Sequence, residues 1–370
     1  MKKKIIDAQI FRTKISHKTI WLFVLLKESN NIEGWGEATL SGKDDEIFKI
    51  KDKTFEIILN KIYISPLEFK DILPFENIVQ ASLSSAIMQC LWDIQGQIEK
   101  KAINEIFHQK RKQIEVYANF NRSTSDRTLE GVRLNSKKVQ DHGYRFVKFA
   151  PFDEVSPDME TNTILKSMRK GLDRIEVIRD VFGPKVNIMI DCHWRFNYDS
   201  AVELLKECKK YNLYWLECPI EENIKNLSLI RKLRLKANSF GIKLAGLETK
   251  ILKKGFYEYL KAETYDVMMP DIKYAGGPDE MLNIEKVLIK NNISFSPHNP
   301  SGPISHAHTL QICGATHDNS LMEHQFKESL FFDKLLKAPN PEIKQGRSLI
   351  PKYSYGLGVS INKLELKNIE

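Results

Sequence analysis

NIMIDCHWRF, Asn187 to Phe196, joins an apolar run to a cluster of ionisable side chains. The first four residues have the length and character of a short buried strand. Beyond them Asp191, His193 and Arg195 stand at alternate positions, with a thiol and an indole between. Alternate side chains in a strand share a face. An Asp191 that faces an enclosed chamber would therefore bring His193 with it, while Cys192 would point away and pack under helices. Such a cluster is expected where several strand ends converge on one site.

The rest of the chain repeats the pattern. From residue 114 to about 345, short apolar stretches alternate with helical ones, the grammar of a parallel sheet covered by crossover helices. Eight strands are expected: IEVYANF, YRFVKFA, VNIMID, LYWLE, IKLAGLE, YDVMMPD, ISFSPH and SLMEH. Six end on an ionisable residue, namely Asp191, Glu217, Glu248, Asp271, His298 and Glu323, 23 to 31 residues apart, and Lys148 stands near the end of an earlier one. Eight units sharing about 250 residues would average ~31 each. A lone acid after a strand is ordinarily a helix cap or a solvated residue. Six in register are not accounted for that way, because the opposite strand ends are mostly neutral polar or apolar. In an α/β barrel the C-terminal strand ends meet at one mouth, which makes these residues neighbours.

Ahead of the barrel, residues 1–113 read as an α+β domain. Three strands (KIIDAQIFRTKI, TIWLFVLLKES, IEGWGEATL) precede two helical patterns, DDEIFKIKDKTFEIILNKI and, after Pro74, one running from ENIVQ to INEIF. A chain of 370 residues suits a barrel plus a smaller partner. With 42% hydrophobic and 28% charged residues it has a soluble globular composition. The net charge of +8 is scattered, without a basic block interleaved with aromatics, which argues against nucleic acid and is compatible with a small anionic metabolite. The opening MKKKIIDAQIFRTKI alternates instead of holding an apolar run, so no signal peptide is expected, and no stretch reaches the ~18 apolar residues of a membrane span. Five cysteines without metal-site spacing fit reduced thiols and a cytoplasmic location.

Asp191, Glu217 and Glu248 carry the first chemical inference. Three carboxylates converging from consecutive strands repel one another unless a cation neutralises them, and all-oxygen ligands favour Mg2+ over Zn2+. One Mg2+ per subunit is expected, acting as a Lewis acid on a substrate carboxylate.

The ordered set of Lys148 in VKFAPFD, Asp191 in IDCH, Glu217 in WLECPI, Glu248 in LAGLE, Asp271 in MPDIKYAGG, His298 in SPHNPSGP and Glu323 in LMEH resembles the enolase superfamily, specifically its mandelate racemase subgroup. The helix ending in CLWDIQGQ and the C-terminal GLGVSI are similar to that family's capping domain. The resemblance covers nearly the whole chain. It implies an α/β fold with a (β/α)7β TIM-like barrel at 114–345, an N-terminal capping domain at 1–113, and a segment at 346–370 that returns to complete it. It also implies abstraction of the proton α to a carboxylate, giving an enediolate. In that scheme His298 is the base and Asp271 orients its imidazole. Lys148 lies beside the substrate carboxylate, and Glu323 hydrogen-bonds it as a protonated acid of raised pKa.

Departures from the subgroup refine the expectation. Many members carry a second lysine two residues after the first, on the opposite face of the α-carbon; here that position is Ala150. Racemisation needs a proton-transfer group on each face, whereas elimination needs a base and an acid for the leaving hydroxyl. His193 can be that acid, and Asp-x-His resembles galactonate-type sugar-acid dehydratases. The expected reaction is dehydration of an aldonate or aldarate to a 2-keto-3-deoxy acid. A racemase or epimerase of a 2-hydroxy acid using His193 as second base, and a non-catalytic ligand-binding barrel, are the alternatives. Arg195 is a candidate for a substrate hydroxyl or a neighbouring carboxylate, and His17 falls where a specificity loop would be. His306 and His308, two apart in a helix, are read as ordinary helix residues. A homo-oligomer, as a dimer, tetramer or octamer, is expected.

Overall fold

The computed structural model describes residues 2–16, 19–317, 320–351 and 355–367. An antiparallel sheet opens the chain with β1 (Lys3–Lys14), β2 (Ile20–Glu28) and β3 (Glu33–Glu37), followed by α1 (Asp44–Ile58), the short β4 (Ile62–Tyr63), α2 (Ile78–Glu99) and α3 (Ile103–Ile106), with strand order β3-β2-β1-β4. The glycines of EGWGE explain how tightly β3 meets α2. A Cβ on Gly34 would lie 2.3 Å from the Cys90 carbonyl oxygen, and one on Gly36 would lie 2.1 Å from that of Ala86.

The barrel then runs β5 (Gln113–Asn119), α4 (Leu129–Asp141), β6 (Phe146–Phe149), α5 (Thr161–Phe182), β7 (Asn187–Asp191), α6 (Tyr198–Cys208), β8 (Leu213–Glu217), α7 (Leu227–Asn238) and β9 (Lys243–Gly246). It continues with α8 (Tyr257–Lys261), β10 (Val267–Met268), α9 (Pro278–Lys290), β11 (Ser294–Phe295), α10 (Pro303–Ala315) and β12 (Leu321–Gln325). All eight expected strands are present. Parallel pairing links them from β11 back to β5, and β12 pairs with the other side of β5. Among the described residues no ladder joins β11 to β12. That seam is held by side chains: Ser296 Oγ donates to the Leu321 carbonyl (2.5 Å), and the Asn299 N–H donates to Glu323 Oε2 (2.8 Å). The regular parts of β10 and β11 are only two residues long, shorter than the sequence suggests. Pro270 and Pro297 follow closely and supply no N–H for a ladder.

Alternation sets what the barrel encloses. Tyr117, Phe146, Met189, Trp215 and Leu321 pack into an apolar layer inside it, and two residues further along the same strands stand Asn119, Lys148, Asp191, Glu217 and Glu323. The intervening Ile188, Ile190, Cys192 and Leu216 join the larger core between strands and helices. The mouth therefore has an apolar floor, and Cys192 packs outward as the alternation predicts.

Several contacts tie the first sheet to the barrel. Buried Glu37 on β3 accepts from the N–H groups of Gly302 (2.8 Å) and Ser305 (2.9 Å) at the start of α10, and Lys70 reaches Asp279 (2.7 Å) and Glu280 (2.8 Å) on α9. The C-terminal segment contributes two more strands, β13 (Ile343–Lys344) and β14 (Arg347–Leu349), the latter antiparallel to β5. Further on, the Leu357 N–H donates to Asp93 Oδ1 on α2 (2.8 Å) and Lys363 meets Glu33 on β3 (2.7 Å). No helix among the described residues is long and apolar enough to cross a membrane.

α10 is buried all round, and its two histidines face different neighbours. His306 Nδ1 lies 3.2 Å from Asn299 Nδ2 and its ring meets that of His324, while His308 Nε2 is 2.9 Å from the Trp35 carbonyl. Burial lowers all three, His308 and His324 to about 4. Unfolded, each binds a proton near pH 6.5. Between about pH 6.5 and 4 the unfolded chain thus holds more protons, so this contribution to stability is lost as pH falls, by up to roughly 3 kcal/mol per histidine. The urea midpoint should drop less steeply from pH 7 to pH 5 in His308→Gln than in the unsubstituted protein. Parallel profiles would show that His308 is not held neutral.

Candidate active site

The barrel mouth opens into a cleft of about 640 Å³ shared with the first domain. Lys14, Thr19, Thr39 and Ser41 line it from one side, and Lys148, Asp191, His193, Glu248, Lys273 and His298 from the other. Asp191 and Glu217 are the last residues of β7 and β8, held level by the pairing of Asp191 with Glu217. Glu248 follows β9 after Leu247, whose φ of 75° turns the chain. One oxygen from each of the three carboxylates lies within 4.8 Å of the others.

Such crowding is electrostatically costly. Burial and then the neighbouring carboxylates push Glu217 well up and Glu248 up to about 8, with Lys148 opposing. Burial also works against ionisation of Asp191, but His193 and Lys148 overcome it and hold that carboxyl at about 2. Glu248 Oε2 is buried without a hydrogen-bond donor, with His298 Nε2 3.3 Å away. Three clustered carboxylates, one of them with an orphaned oxygen, fit a hard divalent cation such as Mg2+.

Lys148 bridges two carboxylates, reaching Glu217 Oε1 at 2.7 Å and Glu323 Oε1 at 3.0 Å. Glu323 also accepts from Asn119 Nδ2 (2.7 Å) and the Asn299 N–H (2.8 Å). These donors correct the expectation of a protonated acid. Burial would raise the Glu323 carboxyl, but Lys148, His298 and the two amide donors hold it below its ordinary value. Asp271, just beyond Pro270, puts Oδ2 at 2.8 Å from His298 Nδ1. The imidazole is thus tied at one nitrogen and faces the carboxylate cluster with the other.

His193 reaches the cleft for a reason different from the one its spacing suggests. Regular strand ends at Asp191, and His193 and Trp194 adopt φ of 47° and 55°. Strand alternation therefore does not aim this side chain. Asp191 does: its Oδ1 accepts from the His193 N–H (2.9 Å) and its Oδ2 meets Nε2 (2.8 Å). The Asp191 charge raises the imidazole above its ordinary value, against the effect of burial. The same turn carries Arg195 out of the site. Its guanidinium donates to the carbonyls of Val155 (2.8 Å) and Asp153 (3.2 Å), so it fastens a loop instead of touching the cleft. His17 lies outside the described residues.

Sequence reasoning passed over three residues that the fold brings here. Asn119 and Asn299 hold Glu323, and Lys273 holds Asp271. Signals existed for two of them: Asn119 is a polar residue ending an apolar strand, and Lys273 lies within the MPDIKYAGG stretch beside Asp271.

A sequence profile described as enolase C-terminal domain-like matches residues 132–365. The chain belongs to this family. Over 367 residues it is 25% identical to the arabinonate dehydratase of Saccharolobus solfataricus, covering 96% of this chain and 92% of that one. It is also 25% identical to the D-galactonate dehydratase of Xanthomonas campestris pv. campestris, covering 94% and 90%. Among solved structures, the mandelate racemase/muconate lactonizing enzyme from Jannaschia sp. CCS1 superposes with a TM-score of 0.86 over 99% of this chain and 97% of that one, at 18% identity. That likeness is one of fold: the enolase-type barrel with its N-terminal capping domain.

Proposed function

We propose that the protein is a Mg2+-dependent dehydratase of sugar acids, converting an aldonate or aldarate to a 2-keto-3-deoxy acid. The observation that carries this reading is a pair of imidazoles facing one cleft. His298 is bound to Asp271 and beside Glu248, and His193 is bound to Asp191, so the two reach the carboxylate triad from beyond the ends of different strands. The dehydratase relatives support it, as does Ala150 where a second lysine would serve racemisation.

Asp191, Glu217 and Glu248 would hold the cation, which when bound supplies Lewis acidity to the substrate carboxylate. Lys148 adds a buried positive charge beside them. His298, with Nδ1 occupied by Asp271, takes the C2 proton on Nε2. The resulting enediolate expels the C3 hydroxyl, to which His193 gives a proton, so water leaves and the C2–C3 enol remains. Protonation at C3 then yields the 2-keto-3-deoxy acid. Glu323 acts through Lys148 by fixing its ammonium.

A library of acid sugars incubated with Mg2+ and assayed for keto acid with semicarbazide identifies the substrate. In D2O, His193→Asn should form keto acid about 100-fold more slowly while still exchanging the C2 proton. Return of deuterated substrate isomers by the unsubstituted protein, with no keto acid, would make it an epimerase in which His193 is the second base.

A further inference from the structure

Lys273 is a buried ionisable residue of the cleft that the proposed reaction leaves without a part. It is 1% exposed, yet it lines the cleft with Lys148 and His298. Its contacts to Asp271 are unusual in number. The Lys273 backbone N–H donates to Oδ1 (2.9 Å) and its ammonium lies 2.5 Å from Oδ2, the same oxygen that meets His298 Nδ1. One residue thus holds both carboxylate oxygens, and two contacts from one rigid turn fix the carboxylate plane as a single donor could not.

Burying a lysine is expensive unless a partner compensates, and the same holds for a carboxylate. Asp271, 0% exposed, needs a counter-charge. Were Lys273 absent, the imidazole would be its remaining cationic partner among the described contacts. With the ammonium in place, Asp271 is neutralised independently of His298 and can serve the ring as an orienting acceptor alone. The Tyr274 ring, 4.8 Å from Nζ, covers the ammonium on a further side.

We propose that Lys273 is a positioning residue for the Asp271–His298 pair, holding both oxygens of Asp271 so that the imidazole faces the substrate, and keeping a fixed positive charge beside the base. The proposal rests on the dehydratase reading for its kinetic test only. Lys273→Met, which keeps the stem and removes the charge, should lower kcat by about 100-fold, as loss of alignment by an ångström or so does, with KM and Mg2+ binding by calorimetry little changed. In Lys273→Ala, whose missing stem leaves space open to the cleft, added methylammonium or ethylammonium should restore turnover in proportion to its concentration. A merely structural lysine would give no such rescue. Turnover of Lys273→Met within threefold of the unsubstituted protein overturns the proposal, as does a slow Lys273→Ala that amines do not accelerate. Should the unsubstituted protein turn over no acid sugar, the dehydratase reading fails, and a crystal structure of Lys273→Met decides the positioning role. Separation of His298 Nδ1 from Asp271 Oδ2 beyond hydrogen-bond reach supports it, and an unchanged pair refutes it.

Discussion

Replacing His298 with asparagine is expected to lower keto-acid formation by on the order of 10³-fold or more while leaving the protein folded. Asparagine can still hydrogen-bond, but it cannot take a proton at neutral pH. Asp271 keeps both contacts from Lys273 in the variant, so no buried charge is stranded and the usual source of a large stability loss is avoided. The loss should therefore appear in turnover and not in the thermal midpoint. Because His298 is assigned the first proton transfer, exchange of the C2 hydrogen in D2O should stop together with dehydration, unlike the outcome for His193→Asn. A His298→Asn protein that exchanges deuterium within tenfold of the original rate would mean that another group removes the proton.

Removing the divalent cation should have an effect of similar size on turnover and a separate signature in stability. Without it, Glu217 and Glu248 are pushed up by burial and by neighbouring carboxylates, Asp191 foremost, Glu248 from 4.5 to about 8. For an acid raised on folding, the protonated form is favoured by the native state. The contribution to stability is present below about pH 4.5 and is lost as pH rises through about 8, where the folded protein must ionise a crowded cluster. A cation reverses that cost. At 100 times its dissociation constant, Mg2+ should stabilise by about 2.7 kcal/mol, or about 3–4 °C in a chain of this length. The increment should be larger at pH 8 than at pH 6, because at pH 6 binding must first displace protons. Dialysis against a chelator, thermal melts at both pH values with and without Mg2+, and turnover before and after re-addition test this. Undiminished turnover after chelation, or equal increments at both pH values, would remove the triad from the mechanism.

What could be read in advance follows from how local each signal is. The strands of the barrel were legible because apolar runs, prolines and intervening helical periodicity are local properties of the chain. The ring of Asp191, Glu217, Glu248, Asp271, His298 and Glu323 was legible for a related reason: in a parallel barrel every strand delivers its C-terminal end to the same side, so position along a strand stands in for position in space. Residues beyond the last hydrogen-bonded pair escape that rule. His193 and Arg195 lie past the end of β7, where positive φ values replace alternation; one is drawn back by Asp191 and the other is fastened to carbonyls of the 153–155 loop. Nothing within ten residues of Arg195 announces that loop.

The charge on Glu323 was illegible for a different reason. The groups that hold its carboxyl below the ordinary value include Lys148, Asn119 and Asn299, residues far apart in the sequence. Taken alone, a glutamate in a barrel reads as a desolvated acid; only the packed ring supplies the donors that favour its charged form. By itself, then, the sequence determined the barrel and the carboxylate triad, because strand periodicity and strand-end position are properties of the chain taken in order, while the partnership of Asp271 with His298 was what its resemblance to the family implied. Tertiary structure alone decided which donors surround Glu323, that Arg195 leaves the cleft and that Lys273 grips Asp271. Each of those depends on which donors and acceptors meet within hydrogen-bonding distance, and such short-range meetings are arranged by packing, not by spacing along the chain.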